Sequence, residues 1–331
     1  MTRVGIVGLG FIGRMHLATL RKGGFAEVVA AADKIPANLQ DQAAAEGNIA
    51  VDAQFSTLKG VKTYSEAEDL LADPQVDVAL ITLPTHLHKE YVLKALAAGK
   101  HVICEKPLAL TSAEGEAIVQ AAAQSGRLFF VAHCIRFWPA YAAARDIIVQ
   151  KTYGKVLRAH FCRLSPKPTW SSQNWLMDEK RGGGCLLDLH IHDVDFVNDA
   201  FGHPDAIEAT GVRAPAEGIG DVMATYRYGD GTIVTIEGGW CHEAGFPFRM
   251  AFRMVCEEAS VEFNTQTDGK LHVYPAAGGD IVPDIPSEDG YVGEHRYFFD
   301  CIAAGRQPER VTARSSCDAL ALIEAEKACI Q

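Results

Sequence analysis

The 331-residue sequence has no C-x-x-C pair, no uninterrupted apolar stretch long enough to cross a bilayer, and no excess of positive charge. Its nine cysteines are odd in number and scattered singly through both halves. That pattern excludes a thiolate zinc ribbon and does not read as a disulfide framework. Cys104, Cys162 and Cys256 sit in apolar surroundings and read as small core residues in a reducing, intracellular setting. Without a membrane-length run or a signal peptide before the first strand, the expectation is a soluble cytoplasmic protein. Lys and Arg number 31 against 42 Asp and Glu, a net charge of −11. This argues against nucleic-acid and anionic-membrane partners, though local charge leaves an anionic substrate open. Internal repeats, low-complexity tracts and long linkers are also missing. What remains is an ordinary globular composition, 48% hydrophobic and 22% charged, at a length that suggests about two domains.

The most informative stretch runs from Val4 to Asp33. An apolar run, Val4 to Val7, meets Gly8, Gly10 and Gly13 at G-x-G-x-x-G spacing. Ile12, His16, Leu17 and Leu20 then follow a helical period, and a second apolar run, Val28 to Ala32, ends on Asp33. Strand, turn, helix and strand in that order give the glycine pattern its meaning as a dinucleotide-binding turn. Gly8 allows the tight turn, Gly10 lets backbone approach a pyrophosphate, and Gly13 allows close helix–strand packing. Unpaired amides at the helix start, including those of Phe11 and Ile12, suit phosphate. Asp33, 20 residues after Gly13, suits the adenosine ribose hydroxyls and points to NAD, with NADP as the second candidate because Lys34 adjoins it.

Up to about residue 132, strands alternate with helices. Residues 37–46 read as a helix, 61–64 as a strand, and Ser65 with Glu68 as a capping box for a helix over 67–71. Strands are expected at 76–81, 101–104 and 128–132. Helices are expected at 87–98, stopping at Gly99, and at 112–124, started by Thr111 and stopped by Gly126. Repeated βα units predict a doubly wound parallel sheet. After a helix at 138–150 the pattern changes to strands at 156–164, 206–213, 221–228, 232–239, 248–256, 259–263 and 271–274, with a hairpin signal at Tyr228-Gly229-Asp230-Gly231-Thr232. Helices at about 191–201, 293–304 and 315–329 complete the reading. The fold class is therefore α/β: a dinucleotide-binding domain over residues 1–132, then an α/β domain with a large, mostly antiparallel open sheet over 133–331.

Three further stretches carry chemistry. Ile81-Thr82-Leu83-Pro84-Thr85-His86-Leu87-His88 leaves a strand at the edge where open α/β sheets bind ligands, although a plain strand-to-helix turn has the same look. Cys104-Glu105-Lys106-Pro107 ends the next strand at the same edge. Lys106 there suits a substrate oxygen, and a surface Glu–Lys pair is the simpler alternative. In Gly182-Gly183-Gly184-Cys185-Leu186-Leu187-Asp188-Leu189-His190-Ile191-His192-Asp193-Val194-Asp195, Asp188 and His192 share a face if the segment is helical. A histidine beside a carboxylate is a suitable proton acceptor and donor. His190-x-His192 with neighbouring aspartates has the composition of a metal site, but no second ligand group accompanies it, and no metal is expected.

Together these stretches resemble the Gfo/Idh/MocA oxidoreductases, the glucose-fructose oxidoreductase and inositol dehydrogenase family. The resemblance rests on Gly8-x-Gly10-x-x-Gly13, Thr82-x-Pro84-x-x-x-His88, Gly99-Lys100-His101-Val102-x-x-Glu105-Lys106-Pro107 and Gly182-Gly183-Gly184-x-x-x-Asp188-x-x-x-His192. Tyr297 to Ile302 and Gly305-x-x-Pro308 extend it to nearly the whole chain. It implies a Rossmann domain joined to an open-sheet domain and NAD(P)-dependent redox chemistry without a metal. Lys106, Asp188 and His192 match the catalytic positions, and Pro107 matches a proline that often follows a cis peptide. Thr82, Pro84, His88 and Glu105 match positions lining the nicotinamide side, with Lys106 beside them. His190 departs from the glycine common in the family, and either narrows the pocket or points into the core.

The resulting expectation is a dehydrogenase or reductase of a sugar, cyclitol or related polyol. His192 moves the hydroxyl proton, Lys106 steadies the oxygen and Asp188 orients the pair. Arg163, Trp175 and His190 are candidate substrate contacts. A reductase of an unsaturated or aromatic-derived compound and a dinucleotide-sensing regulator are the alternatives. The open sheet implies self-association, as a dimer or dimer of dimers.

Overall fold

The computed structural model describes residues 1–41, 47, 51–214 and 218–330. The chain forms two compact units. The first takes Met1–Cys134, Trp170–Trp175 and Asp289–Cys317; the second takes Ile135–Thr169, Leu176–Glu288 and Asp318–Gln331. The first unit therefore includes two segments from far along the sequence.

The first unit is built on a six-stranded parallel sheet in the order β3-β2-β1-β4-β5-β6. Its strands are β1 (Arg3–Val7), β2 (Glu27–Ala32), β3 (Lys62–Tyr64), β4 (Val78–Ile81), β5 (His101–Glu105) and β6 (Phe129–Ala132). Every residue of β4 is buried, as the continuous apolar run requires of a strand covered on both faces. Each such Val, Leu or Ile contributes roughly 1.5–3 kcal/mol through burial. Four helices follow their strands: α1 (Phe11–Gly23), α2 (Ala67–Ala72), α3 (His88–Ala97) and α4 (Ser112–Ser125). The Thr111 hydroxyl accepts from the Glu114 amide at 3.2 Å and starts α4, while Gly126, at φ 65°, ends it. A late helix, α8 (Gly290–Ala303), joins this unit through Phe298, whose ring lies 4.6 Å from Phe130.

Two local expectations fail here. The Ser65/Glu68 capping box does not form: α2 begins at Ala67, Glu66 is its N-cap, and no side chain caps it. Ser65 falls one residue too early, and Glu68 instead accepts from Lys94 Nζ on α3 at 2.5 Å. The helix expected over 37–46 is a single 3₁₀ turn, Pro36–Leu39, as far as it is described; residues 42–46 lie outside the described residues.

The second unit carries a seven-stranded sheet in the order β13-β12-β11-β7-β10-β9-β8. The strands are β7 (Val156–Pro166), β8 (Ala206–Ala214), β9 (Gly218–Arg227), β10 (Ile233–His242), β11 (Arg249–Cys256), β12 (Ala259–Asn264) and β13 (Leu271–Pro275). Only β7 and β10 run parallel; the remaining pairs are antiparallel. The expected hairpin joins β9 to β10, with the Tyr228 amide donating to Thr232 O at 3.1 Å and Gly231 at φ 88°. One sheet face packs against helices α5 (Pro139–Gln150) and α7 (Ile191–Phe201). Tyr141 of α5 and Phe196 of α7 meet at 5.1 Å, and Phe161 and Phe252 of the sheet close on them. The opposite face presents the half-exposed His160, Thr235 and Glu237, giving the strands their period-2 pattern. A short helix, α6 (Glu179–Gly182), precedes the glycine run, and α9 (Ala313–Cys329) is the last element. Among the described residues, no helix is long and apolar enough to cross a membrane.

Candidate active site

In the first unit the turn from β1 to α1 has the form its glycines predict. Gly8 adopts φ +95°, and a Cβ there would meet Thr82 O at 2.8 Å. A Cβ on Gly13 would lie 2.2 Å from Gly8 O, so this contact admits only glycine. A Cβ on Gly10 would meet nothing within 4 Å: backbone there borders open space, as an approaching pyrophosphate requires. No side chain caps α1 at Gly10, and the amides of Phe11, Ile12 and Gly13 have no acceptor within the helix. These features fit a dinucleotide.

Asp33 ends β2 and reaches back to this turn. Its Oδ2 accepts from the Leu9 amide at 2.7 Å and from Asn38 Nδ2 at 3.0 Å, while Oδ1 accepts from the Ile35 amide at 2.8 Å. A carboxylate offers about four acceptor sites, so capacity for a ribose hydroxyl remains. Lys34 is paired with Glu66 at 3.5 Å. Thr82, at the end of β4, places its hydroxyl 2.5 Å from Gly8 O and 3.2 Å from Val7 O, bracing the turn.

Pro84 is half-buried and begins the turn into α3. The first residue of α3, His88, is 1% exposed and lies between two backbone carbonyls, Pro107 O at 2.7 Å and Leu83 O at 2.8 Å. Burial lowers its pKa, opposed by those carbonyls. It thereby ties the Leu83-Pro84 loop to the loop after β5. There the Lys106–Pro107 peptide is cis and Lys106 is half-buried. Glu105 is 6% exposed; its Oε2 accepts from the Lys106 amide at 3.0 Å, and its Oε1 lies 2.6 Å from His16 Nε2. Burial disfavours its charge, but the His16 hydrogen bond and nearby positive charge outweigh this and hold the carboxyl below its ordinary range. Trp175 also belongs to this unit; it is half-buried and follows Gln173 and Asn174, both in left-handed backbone.

In the second unit the glycine run leads into a π-helical turn, Leu186–His190, continued by α7. From Gly184 to Val197 every residue is buried except Asp188 and His192, which are half-buried. Two polar side chains four apart in a helical segment are therefore the ones left accessible. The rest of the motif is internal. His190 is 0% exposed and its Nε2 lies 2.9 Å from Glu326 Oε2, while Tyr226 donates to the other oxygen of Glu326 at 2.7 Å. Gly238 makes room for it: a Cβ there would lie 2.4 Å from His190 Nδ1. Of the two orientations open to His190, the structure takes the one into the core. Arg163, 2% exposed, donates from Nε to Asp193 Oδ2 at 2.7 Å and from Nη2 to Asp193 Oδ1 at 3.2 Å. Arg136 likewise grips Asp195, at 2.6 and 2.7 Å. His190, Asp193 and Asp195 thus turn to three different internal partners.

Sequence reasoning did not single out His16, His295, Glu326, Tyr226 or Arg136 as partners of the motif residues. Each contact spans tens to hundreds of residues, and no local pattern signals it.

Comparison with known proteins fits this arrangement. Residues 2–133 match the model described as "Oxidoreductase family, NAD-binding Rossmann fold", and residues 141–262 match the GFO/IDH/MocA C-terminal domain. The 1,5-anhydro-D-fructose reductase of Ensifer adhaerens is 34% identical over 191 residues, 55% of this chain and 56% of that protein. For several curated relatives the chain spans only about half their length. The levoglucosan dehydrogenase of Pseudarthrobacter phenanthrenivorans matches more fully, 30% identical over 302 residues, 82% of this chain and 75% of that protein. A solved levoglucosan dehydrogenase, in complex with NADH and L-sorbose, superposes with a TM-score of 0.83 at 25% identity, covering 99% of this chain and 96% of the other.

Proposed function

The chain belongs to the Gfo/Idh/MocA oxidoreductase family, and we propose that it is an NAD-dependent dehydrogenase or reductase of a sugar, cyclitol or related polyol. The observation that carries this reading is that Asp188 and His192 alone are partly exposed in the otherwise buried stretch from Gly184 to Val197. An accessible histidine and carboxylate on one helical face is what proton transfer needs.

The turn from Gly8 to Gly13 binds the pyrophosphate through the α1 amides, and Asp33 accepts from the ribose. The bound nicotinamide supplies hydride acceptance and donation at its C4. In oxidation, His192 takes the hydroxyl proton as the carbinol C–H bond breaks and the carbon–oxygen double bond forms; in reduction it returns that proton. Lys106 steadies the oxygen through its positive charge, and Asp188 orients His192. His88 and Glu105 hold the Lys106 loop through the bonds described above. Pro84 and Thr82 shape the adjoining wall, while Trp175 borders the substrate. Arg163 and His190 support the motif from the core side. NAD is preferred because Asp33 repels a 2′-phosphate and Lys34 is already paired with Glu66.

The relatives named for sugars support a sugar-class substrate. Nine cysteines scattered singly along the sequence, with no disulfide framework, suit a cytoplasmic setting. The uncovered face of the seven-stranded sheet suits a homodimer or dimer of dimers, and light scattering giving a single 35.8 kDa species at micromolar protein would contradict that. The function itself is tested by following nicotinamide absorbance against a panel of sugars, anhydrosugars and cyclitols, with NAD and with NADP. Turnover of at least one panel member with higher kcat/KM for NAD supports it. Tight NAD binding without turnover of any member would favour the sensing alternative.

A further inference from the structure

Beneath the loop that carries Lys106 lies a buried polar chain that ties the motif residue Glu105 to two histidines distant in sequence. His295 Nε2 on α8 lies 2.8 Å from His16 Nδ1 on α1, and His16 Nε2 lies 2.6 Å from Glu105 Oε1. Both histidines are 0% exposed. A carboxylate can only accept, so His16 Nε2 carries the proton of the second bond. Burial, and then the neighbouring His16, push the His295 pKa well below its ordinary value. Among the described residues, the His295 Nδ1 has no partner, so its contact with His16 through Nε2 is the polar bond that fixes the ring. The chain reads His295 to His16 to Glu105, and the other oxygen of Glu105 is filled by the Lys106 amide. Among the described residues, Lys106, His88, Cys104, Tyr291 and Glu294 are the other titratable groups coupled to Glu105. Burial first, and then the charge of Glu105, push the Glu294 pKa well above its ordinary value.

Strand order says what Glu105 is for. Chain order reverses between β1 and β4, so the sheet has its switch point beside the phosphate turn. Asp33, the ribose acceptor, ends β2 on one side of β1, while Glu105 ends β5 on the other, beyond β4. A dinucleotide whose adenosine lies over β2 sends its nicotinamide toward β4 and β5. The nicotinamide ring is a cation when oxidised and neutral when reduced. A carboxylate fixed at that end distinguishes the two states by charge alone.

We propose that His16 and His295 are positioning residues that keep Glu105 ionised and oriented, so that the apo protein selects NAD⁺ over NADH. This rests on the dinucleotide reading above and adds to it a preference for one redox state. An opposite charge within a few ångströms in a partly buried site changes affinity by about tenfold or more.

The test is calorimetric binding of NAD⁺ and of NADH to the full chain at neutral pH, with no substrate present, alongside thermal unfolding. Glu105→Gln keeps the shape and removes the charge; it is expected to weaken NAD⁺ by about tenfold while leaving NADH nearly unchanged. His16→Leu strands the carboxylate and is expected to shift the affinity ratio the same way. His16→Gln, whose amide can still donate to Glu105, is expected to restore it. A purely structural role for His16 predicts equal losses for both dinucleotides that follow the loss of thermal stability, and that result would overturn the proposal. So would an unchanged ratio in Glu105→Gln, which stands even if His16→Leu fails to fold. A wild-type chain that binds neither dinucleotide would instead refute the dinucleotide reading itself.

Discussion

Removing the Arg163 guanidinium separates two roles for this side chain. It lies on β7 and is clamped to Asp193 of α7 by contacts of 2.7 and 3.2 Å, with Tyr141 of α5 donating to Asp193 Oδ1 at 3.3 Å. The side chains of Arg163 and Asp193 are 2% and 0% exposed. Arg163→Met keeps most of the side-chain volume but leaves a buried carboxylate with a phenol for company. Breaking one side of such a pair costs about 3–5 kcal/mol, because the surviving charge cannot reach water. At ~2–4 °C per kcal/mol for a domain of this size, the transition should fall by roughly 6–20 °C. Replacing both partners, as Arg163→Met with Asp193→Leu, removes the stranded charge and should recover most of the loss. Thermal unfolding of the two single variants and the double variant, followed by circular dichroism, gives the coupling. If Arg163 instead served only as a substrate contact, Arg163→Met would unfold at the wild-type temperature and raise KM, a result that would falsify the internal-clamp assignment.

Gly238→Ala should destabilise by about 1–3 kcal/mol, since its Cβ would collide with the buried His190 ring; a wild-type urea midpoint would contradict this. Gly13→Ala should abolish dinucleotide binding in calorimetry while leaving the second unit's unfolding unchanged, because the new Cβ would lie 2.2 Å from Gly8 O. Asp73 is held at about 2 by the Tyr64 hydroxyl first, then by the Gln75 amide and Lys62. A carboxyl depressed on folding contributes stability that is complete above its unfolded value, near 3.8, and is lost as pH falls toward about 2. Tyr64→Phe should therefore raise the Asp73 midpoint in an NMR titration and shrink its contribution to stability above pH 3.8; an unmoved midpoint would refute the role of the phenol.

The strands were legible because their signals are local. Alternation of buried and exposed residues fixed seven strands in the second unit, and Gly231 in its hairpin needed only four neighbours to be recognised. The phosphate turn was equally legible, since Gly8 and Gly13 meet constraints set within one βα unit and by Thr82. Side-chain direction was not. His190 and His192 are two residues apart, yet one is sealed against Glu326 and the other half-buried, because partners 136 residues away decide the first. The Ser65 box failed because α2 starts at Ala67 with Glu66 as its N-cap, while Glu68 found Lys94 across the surface. Arg163 read as a substrate contact from its place on the first strand of the sheet, and only α7 packed against that strand reveals Asp193 as its partner.

Hydride transfer is the central chemical claim, and isotope tracking tests it most directly. The wild-type chain is incubated with NAD⁺ and a panel sugar carrying deuterium at the carbinol carbon, and the nicotinamide product is analysed by mass spectrometry. One deuterium per NADH formed, in step with the appearance of the carbonyl product, is the expected result. NADH that forms without the label, or oxidised substrate without matching reduced dinucleotide, would contradict direct transfer between substrate carbon and nicotinamide.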